Sequence, residues 1–246
     1  MSEDKSRSTP GLSLILPACD EEDNIVEVLS RIDEVIGPLG LSYEIIVVND
    51  GSRDKTEKKA LMYAWKNNHV RVVGYSKNMG KGYAVKTGFM NAKGEIIVLL
   101  DSDLEISPVE VTRYVQALKY GDIVIASKRH PDSHVEAPLL RKFLSLGFNL
   151  LVKLLTKLDV TDTQAGLKAM RRSKMGKIFS SLLVKRYAFD VELLAVARLY
   201  DLRIVEMPVN LKLTNGFFSP KEIFRMFIDL LGIAYRIRIK RYYQNF

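Results

Sequence analysis

The 246-residue chain holds one cysteine, Cys19, and one tryptophan, Trp65. A single thiol excludes an internal disulfide and fits a reducing compartment. No stretch approaches the roughly 18 uncharged apolar residues that a membrane-spanning helix needs, so none is predicted. The start, Met1–Gly11, is polar and lacks the apolar core of a signal peptide; residues 1–10 read as a disordered tail. The three histidines, His69, His130 and His134, lack metal-site spacing, and no Ser/His/Asp arrangement suggests itself. No internal repeat or low-complexity block is present.

What the chain does have is positive charge and apolar residues: a net charge of +8, a pI near 9.4 and 47% hydrophobic residues. The charge suits an anionic partner, whether phosphorylated substrate, acidic lipid or nucleic acid; a solvated basic surface is the alternative. The length suits one large domain. Short apolar runs at Leu12–Pro17, Glu44–Val48, Val70–Tyr75, Glu95–Leu100 and Asp122–Ala126 read as strands. Helical patterns alternate with them at Asp23–Ile36, Asp54–Asn67, Gly82–Ala92 and Pro108–Leu118. That alternation predicts an α/β fold, a mostly parallel Rossmann-like sheet with helices on both faces. The domain is expected to span residues 11–220. Its second half differs. Leu139–Leu158 is apolar except for a stripe of Lys142, Ser145, Asn149, Lys153 and Thr156, a helix with a wide apolar face. Residues 221–246 read as a basic amphipathic C-terminal helix ending in Arg236, Arg238, Lys240 and Arg241.

In a parallel sheet, ligands collect beyond the C-terminal strand ends. Three predicted strand ends run into polar groups there: Asn49–Ser52, Asp101–Asp103 and Ser127–Arg129. In extended backbone, residues two apart point the same way. Asp101 and Asp103 can therefore face one cation, and hard carboxylate oxygens suit Mg²⁺ or Mn²⁺ bridging to a diphosphate. Glu105, two further on, is a candidate third ligand; a solvated helix-entry residue is the other reading. Asn78–Gly82 is a glycine-rich loop opening a helix, where backbone N–H groups and Lys81 would favour a phosphate. Neither the Walker spacing nor the dinucleotide fingerprint is present.

Taken in order, six segments resemble the family-2 glycosyltransferases of GT-A fold, most closely the dolichyl-phosphate hexose synthases. They are Leu16–Ile25, Val47–Asp54, Asn78–Ala84, Asp101–Leu104, Asp162–Lys168 and Phe189–Leu194. The resemblance implies that Pro17, Ala18, Glu21 and Asp50 hold the base and ribose of a nucleotide sugar, with Lys81 and Ser102 beside them. It implies that Asp101 and Asp103 carry the metal, with Lys128 and Arg129 near the reacting phosphates and Arg141 and Ser145 contacting the acceptor phosphate. The implied reaction is an inverting transfer of a hexose, glucose favoured over mannose, from UDP-glucose or GDP-mannose to dolichyl or polyprenyl phosphate. An ionised phosphate needs no protein base to attack, and among Asp162, Asp190 and Glu192 a structural role is as well founded as a basic one. Departures include Asp20, Asn49 and Lys128, where the family usually has Asn, Asp and Arg. The apolar helix about 139–158 and the basic C-terminal end are expected to contact an anionic membrane surface on its cytoplasmic face, peripherally or through a membrane partner subunit. Two other readings compete. One is transfer to a glycan or small soluble acceptor. The other is nucleic-acid binding, against which no aromatic–basic recognition motif is present.

Overall fold

The computed structural model describes residues 10–103, 105–212 and 219–245; for residues 140, 141, 212 and 245 only the backbone is described. The expected tail therefore lies almost wholly outside the described residues. All five predicted strands form, as β1 (Leu12–Ala18), β2 (Tyr43–Asp50), β3 (Val70–Tyr75), β4 (Ile96–Leu100) and β5 (Ile123–Ser127). The four predicted helices form between them as α1 (Ile25–Ile36), α2 (Thr56–Lys66), α3 (Lys81–Asn91) and α4 (Glu110–Ala117). After β5 come β6 (His134–Glu136), α5 (Leu139–Thr156), β7 (Leu167–Arg171), α6 (Arg172–Ser181), α7 (Phe189–Leu199), β8 (Ile204–Pro208), β9 (Asn210–Lys212) and α8 (Pro220–Arg238).

The main sheet has seven strands in the order β3-β2-β1-β4-β7-β5-β8. Every neighbouring pair is parallel except those of β7, which runs antiparallel to both β4 and β5. β2 is buried along its whole length, which is why the central strands read as continuous apolar runs rather than alternating ones. One core packs α1, α2 and α4 on one face of the sheet. The other packs α3, α6 and α7 on the opposite face, with contributions from α5 and α8. β6 and β9 pair apart from the main sheet.

The reversed strand β7 was not predicted. Its sequence, Leu-Lys-Ala-Met-Arg, puts a lysine at a position that is 2% exposed. The charge is tolerated because Lys168 Nζ lies 2.8 Å from Asp190 Oδ1 and donates to Ala165 O at 2.8 Å. Asp190 belongs to α7, buried from Phe189 to Ala197. This pair holds α7 against the sheet.

α5 and α8 each bury some apolar residues in the core, Val152 from α5 and Leu230 and Ile233 from α8, and leave a second apolar face outside. In α5 the polar stripe faces the protein: Asn149 and Thr156 are buried and Ser145 half-buried. Its apolar side faces outward, with Leu139, Phe143, Leu150 and Leu154 each at least 67% exposed. In α8, Arg236 turns inward to Glu192 at 3.1 Å, while Phe224, Ile228, Tyr235 and Ile239 are exposed. Ser219 and Glu222 form a capping box at its start. Among the described residues, no helix is long and apolar enough to cross a membrane.

Removing one partner of a buried ion pair strands the other charge, so Lys168→Met should cost about 3–5 kcal/mol. Adding Asp190→Asn should recover much of that loss. Urea unfolding of the three proteins checks it, and equal stability of the single and double variants would contradict it.

Candidate active site

The site lies at the C-terminal ends of the parallel strands, where each chain segment leaves the sheet. The first two strand-to-helix loops are tied together by short bonds. Glu21 N donates to Thr56 Oγ1 at 2.7 Å, Glu22 N to Asp54 Oδ2 at 2.9 Å and Arg53 N to Asp20 Oδ1 at 2.7 Å. Pro17 and Ala18, at the end of β1, thus sit beside the turn after Asp50. Ser102 Oγ donates to Pro17 O at 2.9 Å and fixes the end of β4 to the end of β1.

Asp50, 4% exposed, accepts from Met79 N at 2.7 Å and Gly80 N at 2.9 Å. Two of the N–H groups that the glycine-rich loop was expected to offer an anion are therefore taken by the protein's own carboxylate. Asp50, which the resemblance assigns to the nucleotide, has its oxygens on this loop. The loop in turn launches α3 with Lys81 at its head. Lys81 Nζ lies 2.7 Å from Asp101 Oδ1 and 2.8 Å from Oδ2. Burial acts to lower the lysine's pKa, but Asp101, Asp190 and Asp103 outweigh it and hold the ammonium firmly protonated.

Asp101 is seated by the segment that enters β7. Its N–H donates to Gly166 O at 3.1 Å, and a Cβ on Gly166 would come within 2.4 Å of Asp101 Oδ2. Only glycine allows that approach. Burial raises the pKa of Asp103, and the charge on Asp101 raises it further. Burial also raises Glu21, with additions from Asp103, Asp54 and Asp101, so Glu21 shares the field of the aspartate pair. The two aspartates supply hard, negatively charged oxygens at one strand end, a donor set that fits Mg²⁺ or Mn²⁺. Glu105 donates its N–H to Asp103 Oδ1 at 3.0 Å. Among the described residues, no group of three or more His, Cys, Asp or Glu is arranged to hold a metal, so Glu105 does not complete such a cluster.

At the end of β5 the two basic residues part company. Lys128 Nζ pairs at 2.8 Å with Asp162, whose side chain is 3% exposed. Burial acts to raise Asp162, but Lys128 and its backbone N–H at 3.0 Å hold the carboxyl below its ordinary range. Arg129 meets neutral oxygens: Nη1 donates to Thr161 O at 2.6 Å and Nη2 to Ser145 Oγ at 2.9 Å. Asn149 Nδ2 donates to the same Thr161 carbonyl at 2.7 Å. The inward stripe of α5 thus docks on the strand end that carries Arg129. The Arg141 side chain lies outside the described residues.

Sequence reasoning missed the supporting residues. Thr161 and Glu206 join the Arg129 network, with Thr161 N donating to Glu206 Oε1 at 2.7 Å. Tyr187 lies close enough to Lys81 and Asp101 to feel their charges. Neither Asp190 nor Glu192 is placed as a free base. Asp190 is bound to Lys168; Glu192, fully buried, accepts from Leu183 N and Val184 N at 2.9 and 2.8 Å and from Tyr243 OH.

A metal-suited carboxylate pair at the mouth of a Rossmann-like sheet, beside a lysine-headed glycine loop, is the arrangement of a nucleotide-sugar-dependent transferase. Residues 13–179 match the family described as Glycosyl transferase family 2, and the chain belongs to that family. It has the GT-A fold. It is 32% identical over 243 residues to a dolichyl-phosphate beta-glucosyltransferase of Trichomonas vaginalis, covering 92% of this chain and 71% of the relative. Identity to the human dolichyl-phosphate beta-glucosyltransferase is 34% over 221 residues, 82% of this chain and 67% of the relative. Among solved structures, glucosyl-3-phosphoglycerate synthase from Mycobacterium tuberculosis with Mn²⁺ and UDP-glucose superposes with a TM-score of 0.70. The identity there is 22%, and the match covers 93% of this chain and 79% of that one.

The depressed Asp162 carboxyl has a pH consequence. Its pairing stabilises the fold fully above the unfolded-chain value of about 3.9 and is lost as pH falls through the lower folded value. Lys128→Met should therefore destabilise by about 3–5 kcal/mol at neutral pH, with the difference shrinking below about pH 4. Denaturation of both proteins across pH 3–7 tests this; a gap that widens in acid would contradict the assignment.

Proposed function

We propose that this glycosyltransferase moves a hexose, glucose in preference to mannose, from a nucleotide sugar to dolichyl or polyprenyl phosphate, with inversion, at the cytoplasmic face of a membrane. The observation that carries this reading is the outward apolar face of helix α5. Its polar stripe delivers Ser145 to Arg129, whose guanidinium donates to neutral oxygens among the described residues, while an apolar face of α5, and another of α8, point outward. A positive group is thus presented beside a greasy surface, the two properties that a lipid phosphate combines. The relatives named as dolichyl-phosphate beta-glucosyltransferases support the acceptor and the sugar.

In the reaction, a phosphate oxygen of the acceptor attacks the anomeric carbon as the bond to the nucleotide diphosphate breaks. The electron pair departs on the diphosphate, and attack from the opposite face inverts the centre. Asp101 and Asp103 would hold a divalent cation, which supplies charge neutralisation for the departing diphosphate. Glu21, Pro17 and Ala18 line the nucleotide end, with Asp50 bracing the loop beside them. Arg129 and Ser145 orient the acceptor phosphate, with Arg141 assigned to the same task. Orientation and charge cancellation are the main contributions the protein has to make, because the nucleophile is already ionised. The exposed faces of α5 and α8 would lie in the interface of the membrane, and the basic C-terminal end would meet anionic headgroups.

Purified protein with membranes and labelled UDP-glucose should place label in a mild-acid-labile polyprenyl lipid, and GDP-mannose should place much less. Label found only in a water-soluble phosphorylated product would favour the soluble-acceptor alternative. Asp103→Ala should lower transfer at least about a hundredfold with the fold intact. Arg129→Ala should lower kcat/KM for the lipid acceptor about ten- to a hundredfold while leaving donor affinity in place. Unchanged acceptor kinetics in that variant would remove Arg129 from the acceptor site.

A further inference from the structure

Lys81 engages both oxygens of Asp101, at 2.7 and 2.8 Å. Its backbone has little freedom to carry the side chain elsewhere. On one side, Asp50 holds Met79 N and Gly80 N. On the other, a Cβ on Gly82 would come within 2.4 Å of Phe189 Cβ and 2.7 Å of Val184 O. Tyr83 N is tied to Lys185 O at 3.0 Å. Any change of partner must therefore come from rotation of the lysine side chain about a fixed base.

The charges around the seat are unbalanced. Asp101, Asp103 and Asp190 all act on Lys81, while the second lysine, Lys168, is bound to Asp190. Among the described residues, Lys81 is thus the cation paired with Asp101. A divalent ion on Asp101 and Asp103 would sit against that ammonium, and two cations sharing one carboxylate repel. Among the described residues no third acidic or imidazole ligand completes the cluster, so further oxygens must come from elsewhere.

The geometry points to Lys81 as an internal counter-cation that competes with the divalent metal for Asp101 and passes to the diphosphate of the donor when the metal binds. Metal and nucleotide then enter as a unit. Metal alone meets a seat already partly neutralised. A diphosphate both adds oxygens to the metal and receives the displaced ammonium, which removes the repulsion. The coupling is reciprocal, so metal must tighten nucleotide binding by the factor that nucleotide tightens metal binding. The inference rests on the metal-and-diphosphate site proposed above, and requires neither a particular sugar nor a particular acceptor.

The test is a titration of Mn²⁺ into the full chain, with free Mn²⁺ read by its paramagnetic resonance signal. It is made alone, with UDP and separately with GDP, on the unaltered protein, Lys81→Met and Lys81→Arg. Without nucleotide, Lys81→Met should bind Mn²⁺ about tenfold more tightly than the unaltered protein, the scale expected when a unit charge a few ångströms away is removed. Lys81→Arg should resemble the unaltered protein, because it keeps the charge. The accepted nucleotide should tighten Mn²⁺ at least about tenfold in the unaltered protein and less in Lys81→Met. Equal or weaker metal-only binding in Lys81→Met overturns the proposal, as does Lys81→Arg matching Lys81→Met. If circular dichroism shows Lys81→Met unfolded, the unaltered protein decides: nucleotide that binds without tightening Mn²⁺ overturns it. Failure of both nucleotides to bind, with the metal-only order intact, would instead sink the donor assignment and leave the competition standing.

Discussion

The candidate site depends on one carboxylate being held still. Asp101 leaves β4 wedged against the backbone of Gly166, with its oxygens on Lys81. Each of those contacts belongs to a different part of the chain. Gly166 enters the reversed strand β7; Lys81 heads α3 and is aimed by Asp50 from the end of β2. Moving any of these segments by an ångström would displace the aspartate. Cofactor and substrate chemistry at a strand end is sensitive to displacements of that size.

The same logic extends inward through ion pairs that alternate in sign. Lys81 feels Asp190 as well as Asp101, and Asp190 is bound to Lys168. Lys128 is bound to Asp162, and Arg236 reaches Glu192. Buried charges of this kind contribute little net stability, but once present they tolerate only one arrangement of partners. Here they fix the orientation of three segments that close the second half of the molecule around the first. Arg129 stands apart, held by neutral oxygens from Thr161 and Ser145. Among the described residues no carboxylate is bonded to it directly, and Glu206 reaches it only through Thr161.

The outward apolar faces of α5 and α8 belong to the same arrangement. α5 presents Ser145 and Asn149 to the Arg129 strand end and Val152 to the core, which leaves Leu139, Phe143, Leu150 and Leu154 facing outward. α8 turns Arg236 towards Glu192 and leaves a second apolar face beside the first. Large apolar side chains exposed on two neighbouring helices are the feature on which the proposed membrane contact rests. The wide apolar stripe of residues 139–158 was visible in the sequence. That the polar stripe would anchor the helix on the Arg129 strand end was not.

The sequence by itself determined the parallel half of the fold: five apolar runs alternating with helical patterns, and the polar groups at their ends. It did so because a strand buried on both faces must be apolar throughout, and because those strand ends are where such a sheet admits polar residues. It also put Asp101 and Asp103 together at the end of β4, although the expected extended backbone is not what carries them: β4 stops at Leu100, and residues 102 and 103 lie in a turn. Only the tertiary structure decided which charges are already matched. Lys128 and Arg129 are neighbours of similar type, yet one lies on Asp162, 34 residues away, and the other on Thr161 and Ser145. β7 was hidden for the same reason: Lys168 is a credible strand residue only once Asp190 is beside it. Periodicity reports what a segment buries, whereas the partner of a charge is set by contacts between segments far apart in the chain.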